Sequence, residues 1–328
     1  MLQVLELSNM DIRVCMKLPG GPDVLEVIGA VADPPGPGQV RLRHHAIGVS
    51  FIDIYHRKGL YPLESPKVPG VEGAGVIEAV GPGVEGLQVG DRAVYAGIPG
   101  AYASSRLLPA WRAVPLPSDI PFDIAATSML RGLTTHMLLT VCHPVRPGSV
   151  LLVHAAAGGL GGILTRWAKH LDATVIGTVS SPEKGAIAKA NGVDHVIVGR
   201  DADIVSETAV LTHGAGVDFV VDGVGGDMLR QSLRCVRPFG DVASIGWVAG
   251  PVPPIGIEEL GLGTLSKPSV MAYAADSNRY RQAARAVMRA LARGVTGEIG
   301  GTYRLADAAM AHAELEAGRT TGGLVLLP

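Results

Sequence analysis

Up to residue 125 the apolar positions come in short, often alternating runs: Gln39–Val49, Gly73–Val80, Arg92–Ala96 and Ala101–Leu108. Proline and glycine clusters separate them, at Pro19–Pro22, Pro34–Gly38, Gly81–Gly83, Val89–Asp91 and Pro99–Gly100. Period-two runs between turn signals predict short strands, and their close spacing predicts a partly closed β-barrel. One helical piece interrupts it near Ser50–Arg57. Beyond residue 125 the period changes. Ile124–Val141 is apolar with few breakers and reads as a helix. Ser149–His154 is a continuous apolar strand, and Leu160, Ile163, Leu164, Trp167, Ala168 and Leu171 then fall on one helical face. Thr174–Val179 is a strand. A helix follows, started by Ser180/Ser181 and Pro182 and ended by Gly192. Strands at Asp194–Val198, Val217–Asp222 and Asp241–Gly246, with a helix at Met228–Val236, continue the alternation. Repeated β-α-β with wholly apolar strands predicts a parallel sheet covered on both faces. Late helices at 278–293 and Ala306–Ala317 and a final strand, Leu324–Leu327, close the chain.

Charge narrows the function classes. Lys and Arg total 28 against 30 Asp and Glu, a net −2. Neither that balance nor an Arg/Lys stripe supplies a basic field, so nucleic acid and acidic membrane are not expected partners. With 47% hydrophobic residues over 328, a sizeable core is available. The three cysteines, Cys15, Cys142 and Cys235, are far apart and form no disulfide framework or cysteine-rich zinc module. No signal-peptide run and no apolar span of about 20 residues occurs, so a cytoplasmic location is expected. G-x-S-x-G is absent, as is any Gly-Lys pair, which excludes a nucleophile elbow and a P-loop.

The most informative stretch runs from Val150 to Gly162, Val-Leu-Leu-Val-His-Ala-Ala-Ala-Gly-Gly-Leu-Gly-Gly. A buried strand enters glycines and an amphipathic helix leaves them. A pyrophosphate must approach backbone N–H groups at a helix N-terminus, and side chains there would block it. Gly158, Gly159 and Gly161 meet that need, with Ala156 in place of the first glycine of G-x-G-x-x-G. About 20 residues past such a loop an NAD site carries Asp or Glu for the ribose 2′-OH. Here Ser180 and Ser181 stand instead, with Lys184 one helical turn on. Hydroxyls and an ammonium favour a 2′-phosphate, hence NADPH.

These motifs, with Gly20-Gly-Pro-Asp-Val-Leu25, Ile52-Asp-Ile-Tyr-His-Arg-Lys-Gly-Leu-Tyr-Pro62, Pro69-Gly-Val-Glu-Gly-Ala-Gly75, Val89-Gly-Asp-Arg-Ala-Val94 and Arg131-Gly-Leu-Thr-Thr135, resemble the medium-chain dehydrogenase/reductase superfamily. Within it, the chain is most similar to the zinc-free, zeta-crystallin-like quinone oxidoreductases. The resemblance implies an α/β protein in two domains. A GroES-like, partly closed β-barrel catalytic domain would span 1–125 and 265–328, and a Rossmann doubly wound domain 126–264, with the cofactor in the cleft between. It implies cofactor contacts at Ser50, Tyr61, Leu130, Thr134, Ala157, Gly158, Gly159, Leu160, Gly177, Ser180, Ser181, Lys184, Arg200, Val224, Ile245, Gly246 and Trp247. Zinc-dependent members would place ligands where Ser50, Val71 and Leu130 stand, and those residue types cannot bind zinc in their place. Three departures are expected to loosen the coenzyme grip: Gly199 for a tyrosine, with Arg200 beside it, Ala274 for an arginine, and Gly318 for an arginine that Arg319 misses by one.

Without a metal, the chemistry implied is hydride delivery from NADPH to an electron-poor acceptor. The protein must hold the reactants together and offer hydrogen bonds to the developing oxyanion. Tyr55, Tyr61 and Ser50 are the candidate catalytic donors; Asp53 either orients them or caps the short helix. A quinone is the expected substrate, an enone or enal the alternative, and a nucleotide-binding regulatory protein the reading from a different class. Residues 240–275 include a sheet-edge strand, and two-fold pairing there predicts a homodimer.

Overall fold

The structure, a computed structural model, describes residues 11–328. Strands β1 (Ile12–Cys15), β2 (Glu26–Gly29) and β3 (Gln39–Val49) lead to helix α1 (Phe51–Arg57). β4 (Glu72–Val80), β5 (Arg92–Ala96), β6 (Ser105–Pro109) and β7 (Val114–Pro115) lead to α2 (Phe122–Met137), which runs into a π-helical turn at Leu138–Cys142. Next come β8 (Val150–Val153), α3 (Gly159–His170), β9 (Thr174–Val179), α4 (Pro182–Ala190), β10 (His195–Val198), α5 (Ile204–Leu211), β11 (Val217–Asp222), α6 (Met228–Cys235), β12 (Val236–Ser244) and β13 (Thr264–Ser266). The last elements are α7 (Val270–Ala275), α8 (Ser277–Leu291), β14 (Ile299–Arg304), α9 (Ala308–Glu316) and β15 (Gly323–Leu327).

Two compact units result. One holds the described residues up to Leu133 with Met271–Ala292 and Gly297–Pro328; the other holds Thr134–Val270 and Arg293–Thr296. In the first, seven strands form one sheet in the order β14-β15-β3-β4-β5-β7, with β6 on β3, and β1 and β2 make a separate hairpin. The long β3 pairs with β4 along one edge, and with β6 and β15 along the other. Its inward residues Val40, Leu42 and Ile47 pack with Ile77, Tyr95, Tyr102, Leu108 and Leu324. His44 and His45 face opposite ways, as strand geometry demands. His44 is buried, its ring nitrogens on Ala103 O (2.7 Å) and Tyr95 OH (2.8 Å), while the exposed His45 stacks on Phe122.

The second unit is a six-stranded parallel sheet in the order β10-β9-β8-β11-β12-β13. Alternation divides its core in two. Leu151, Val153, Val175, Phe219 and Val221 pack on one side with Leu164 and Ala168, and Leu152, Ile176 and Val220 on the other with Leu229 and Leu233. Three sequence expectations are corrected. The segment Ala101–Ser104 lies outside the strands and buries Tyr102; only Ser105–Pro109 is strand. β12 starts at Val236 rather than Asp241, because a register shift against β11 absorbs the turn-forming Pro238. An arginine stripe does exist: Arg281, Arg285 and Arg289 follow one another along α8 and line a surface groove with Asn278 and Gln282. Its i, i+4 spacing interleaves with the buried Ala283, Ala284 and Val287, so composition alone hid it.

Candidate functional site

The Gly-rich loop lies at the carboxyl end of β8, where open parallel sheets take nucleotides. Ala155 is in the left-handed region (φ 52°) and turns the chain toward α3, capped by Gly158. A Cβ on Gly161 would lie 2.5 Å from Ala155 O and 2.7 Å from Ala156 Cα, and one on Gly177 2.7 Å from Ala156 Cβ. Only glycine permits this approach of helix, strand and loop. Ala157, Gly158, Gly159 and Leu160 therefore share one cradle, over which the first-turn N–H groups of α3 lack intrahelical acceptors.

The next strand, β9, ends on Val179; Ser180 follows it, and Ser181 caps α4, its Oγ accepting from Lys184 N at 3.4 Å. The Lys184 ammonium is pushed below its usual range, first by burial and then by the charge of neighbouring Arg200. Ser180, Ser181, Lys184 and Arg200 thus bring hydroxyls and positive charge to the end of this strand. Glu183 is exposed at the head of α4. Arg200 follows Gly199, whose φ of 125° favours glycine over the tyrosine expected from relatives.

Two further loops adjoin each other beyond β11 and β12. Asp222 Oδ1 accepts from Val224 N (2.8 Å) and Gly225 N (2.9 Å). A Cβ on Gly225 would lie 2.6 Å from Trp247 Cα, and one on Gly246 2.8 Å from Gly223 O. Val224, Ile245, Gly246 and Trp247 are thus brought together, with Lys267 Nζ 5.4 Å above the Trp247 ring. Thr134 is buried on α2, one turn after Leu130.

In the barrel unit Ser50, Asp53 and Glu72 form a buried polar cluster. Asp53 Oδ2 accepts from Ser50 N (2.9 Å), so Asp53 closes the N-terminus of α1. Ser50 Oγ donates to Glu72 Oε1 (3.1 Å), and Leu130 N donates to Glu72 Oε2 (2.8 Å). Arg131 Nη1 reaches the same carboxylate at 3.2 Å and also donates to the Thr127 carbonyl, while its Nη2 donates to the Val49 carbonyl. Burial pushes the Glu72 carboxyl upward, and Arg131, Leu130 N–H and Ser50 pull against it. Asp53 continues outward: Tyr102 OH donates to it (3.2 Å) and meets His312 Nε2 (2.8 Å), whose other nitrogen faces Arg57, paired in turn with Glu316. Sequence reasoning missed Glu72, Arg131, Tyr102, Arg57 and His312. The one local signal was a carboxylate set among Val71, Gly73 and Ala74, where no water reaches.

Tyr55 and Tyr61 lie edge to face, ring centroids 6.0 Å apart. Tyr61 is 39% exposed and Tyr55 half-buried. The Ser50 hydroxyl proton is committed to Glu72.

The family model described as alcohol dehydrogenase GroES-like domain matches residues 36–118, and that described as zinc-binding dehydrogenase matches 159–289. A 2-haloacrylate reductase of a Burkholderia species is 42% identical over 321 residues, covering 94% of this chain and 96% of that protein. A quinone oxidoreductase of Pseudomonas aeruginosa is 42% identical over 315 residues, 94% of this chain and 97% of its own. The structure of Escherichia coli quinone oxidoreductase complexed with NADPH superposes with a TM-score of 0.92 at 36% identity, covering 97% of this chain and all of that one. Zinc does not fit the residues at Ser50, Val71 and Leu130, which lie outside the range matched by the second family description. Ser50 and Leu130 both donate to Glu72, Arg131 neutralises that carboxylate, and Val71 offers no donor. Among the described residues no group of three His, Cys, Asp or Glu side chains could hold a metal ion.

Proposed function

The chain belongs to the zinc-free quinone oxidoreductase family of the medium-chain dehydrogenases/reductases; from that membership and the hydroxyl-and-cation cluster of Ser180, Ser181, Lys184 and Arg200 we propose an NADPH-dependent quinone reductase. The cluster supports the coenzyme choice: a carboxylate at Ser180 would repel a 2′-phosphate, whereas the positive charges of Lys184 and Arg200 attract it. Gly158, Gly159 and Leu160 receive the pyrophosphate on the N-terminus of α3. Bound NADPH supplies a hydride; a quinone that takes it and one proton becomes a hydroquinone. Tyr55 and Tyr61 donate hydrogen bonds to the acceptor oxygen, and Ser50, bonded through its N–H to Asp53 and through its hydroxyl to Glu72, fixes the start of α1.

An alkene reductase is the second reading, favoured by the 2-haloacrylate reductase relative. The protein works in the cytoplasm, as a homodimer, on a small molecule and not on nucleic acid. No described helix is long and apolar enough to cross a membrane.

Absorbance assays with NADPH or NADH, each against benzoquinone and 2-haloacrylate, test the reading. NADPH with benzoquinone should be the best pair. Lys184→Ala should raise the KM for NADPH about tenfold and leave that for NADH within about twofold. Equal use of NADH by the native enzyme would defeat the coenzyme assignment.

A further inference from the structure

Four polar side chains in the parallel-sheet unit form a buried line that no step above uses. His154 follows β8, Thr178 lies in β9, Asp222 ends β11 and Ser232 is in α6; Ser232 and Asp222 have no exposed surface, and Thr178 and His154 are also buried. His154 Nδ1 is 3.0 Å from Thr178 Oγ1 and Nε2 is 2.8 Å from Ser232 Oγ, which is 2.8 Å from Asp222 Oδ2.

Every proton in this line can be assigned. Asp222 Oδ1 already accepts two backbone N–H groups, and Ser232 Oγ donates to Oδ2. With its proton spent, Ser232 must accept from His154, which puts the imidazole proton on Nε2. Nδ1 is then an acceptor, and Thr178 donates to it. Burial holds the ring below its usual range, so it stays neutral and the order is kept. The residue types are those of a hydrolase triad, but the serine proton points to the aspartate and away from the histidine, so Ser232 is no nucleophile.

The line joins three adjacent strand ends to the loops that leave them. Its first end is next to Ala155 and the glycine cradle, and Ala156 N bonds Thr178 O at 3.1 Å. Its other end holds Val224 and Gly225 by their N–H groups, while Ile245 N bonds Asp222 O at 2.8 Å. We propose that the ordered chain Thr178–His154–Ser232–Asp222 holds the cradle Ala155–Gly159 and the loop Gly223–Gly225 in one fixed register, which makes its four members positioning residues for the coenzyme. This rests on the reading of those loops as the NADPH site.

Ser232→Ala cuts the line at its centre and touches no proposed coenzyme contact. Fluorescence titration with NADPH and steady-state assays with benzoquinone should show Kd and KM for NADPH raised about tenfold, with kcat within about twofold. Ser232→Thr, which keeps the hydroxyl, should restore both to within about threefold. Where Ser232→Ala does not fold, Thr178→Val removes only the outermost donor and should still raise Kd at least about threefold. A lowered melting temperature with unchanged NADPH affinity would reduce the line to core stability and overturn the inference. Native protein that fails to bind NADPH would instead overturn the coenzyme reading.

Discussion

Asp53 illustrates how one residue can tie local structure to the behaviour of the whole molecule. Its Oδ2 closes α1 and receives Tyr102, but Oδ1 is buried without a partner. Burial above all, opposed by the Ser50 N–H, raises the carboxyl from 3.8 to about 7. The folded protein therefore keeps a proton there that the unfolded chain releases near pH 4. The resulting stability is complete below the unfolded value and is lost as pH rises through about 7, by on the order of a few kcal/mol. Melting temperature should fall between about pH 4 and 7. Asp53→Asn, which still accepts from Ser50 and Tyr102, should flatten that slope and be the more stable form at pH 8. A slope unchanged by the substitution would show that Asp53 titrates in its ordinary range. Glu72, 19 residues further on, differs because Arg131 answers its charge.

Among the elements, α3 and α8 show what a helix can and cannot announce. Glycines, strand and amphipathic face sit next to each other in α3's sequence, so the strand–glycine–helix turn was legible from local pattern, as was the Ser181 cap. In α8 the apolar face was equally plain, but its exposed side collects Arg281, Arg285 and Arg289 at i, i+4 spacing. Like charges so placed oppose one another by about 0.2–0.5 kcal/mol per pair. Arg285→Glu turns both pairs attractive and should stabilise the fold by roughly 1–2 kcal/mol, a rise of a few degrees at most in a melt. A fall would mean that Arg285 makes a contact of its own. The helix α5 was not foreseen; its start depends on Asp203, whose carboxylate accepts from Ser206 N at 3.1 Å.

For the molecule as a whole, the parallel sheet ends on the three-residue β13, which pairs with β12 alone among the described strands. An unpaired edge invites a second copy. Light scattering should give twice the 33.9 kDa chain mass at micromolar concentration, and a monomer would remove the dimer. Period-two runs, the change of period near residue 125, and a glycine loop between strand and helix were enough to name the two kinds of fold and to locate the tight strand-to-helix turn, because each is written in residues close along the chain. The buried polar groups were not readable in that way. Glu72 meets Arg131 59 positions away, Tyr102 meets His312 210 away, and His154 meets Ser232 78 away. Which of them satisfies which depends on how strands and helices stack. An unpaired charge or hydroxyl in a dry core is too costly to persist, so packing chooses the partners, and the chain's linear order holds no record of that choice.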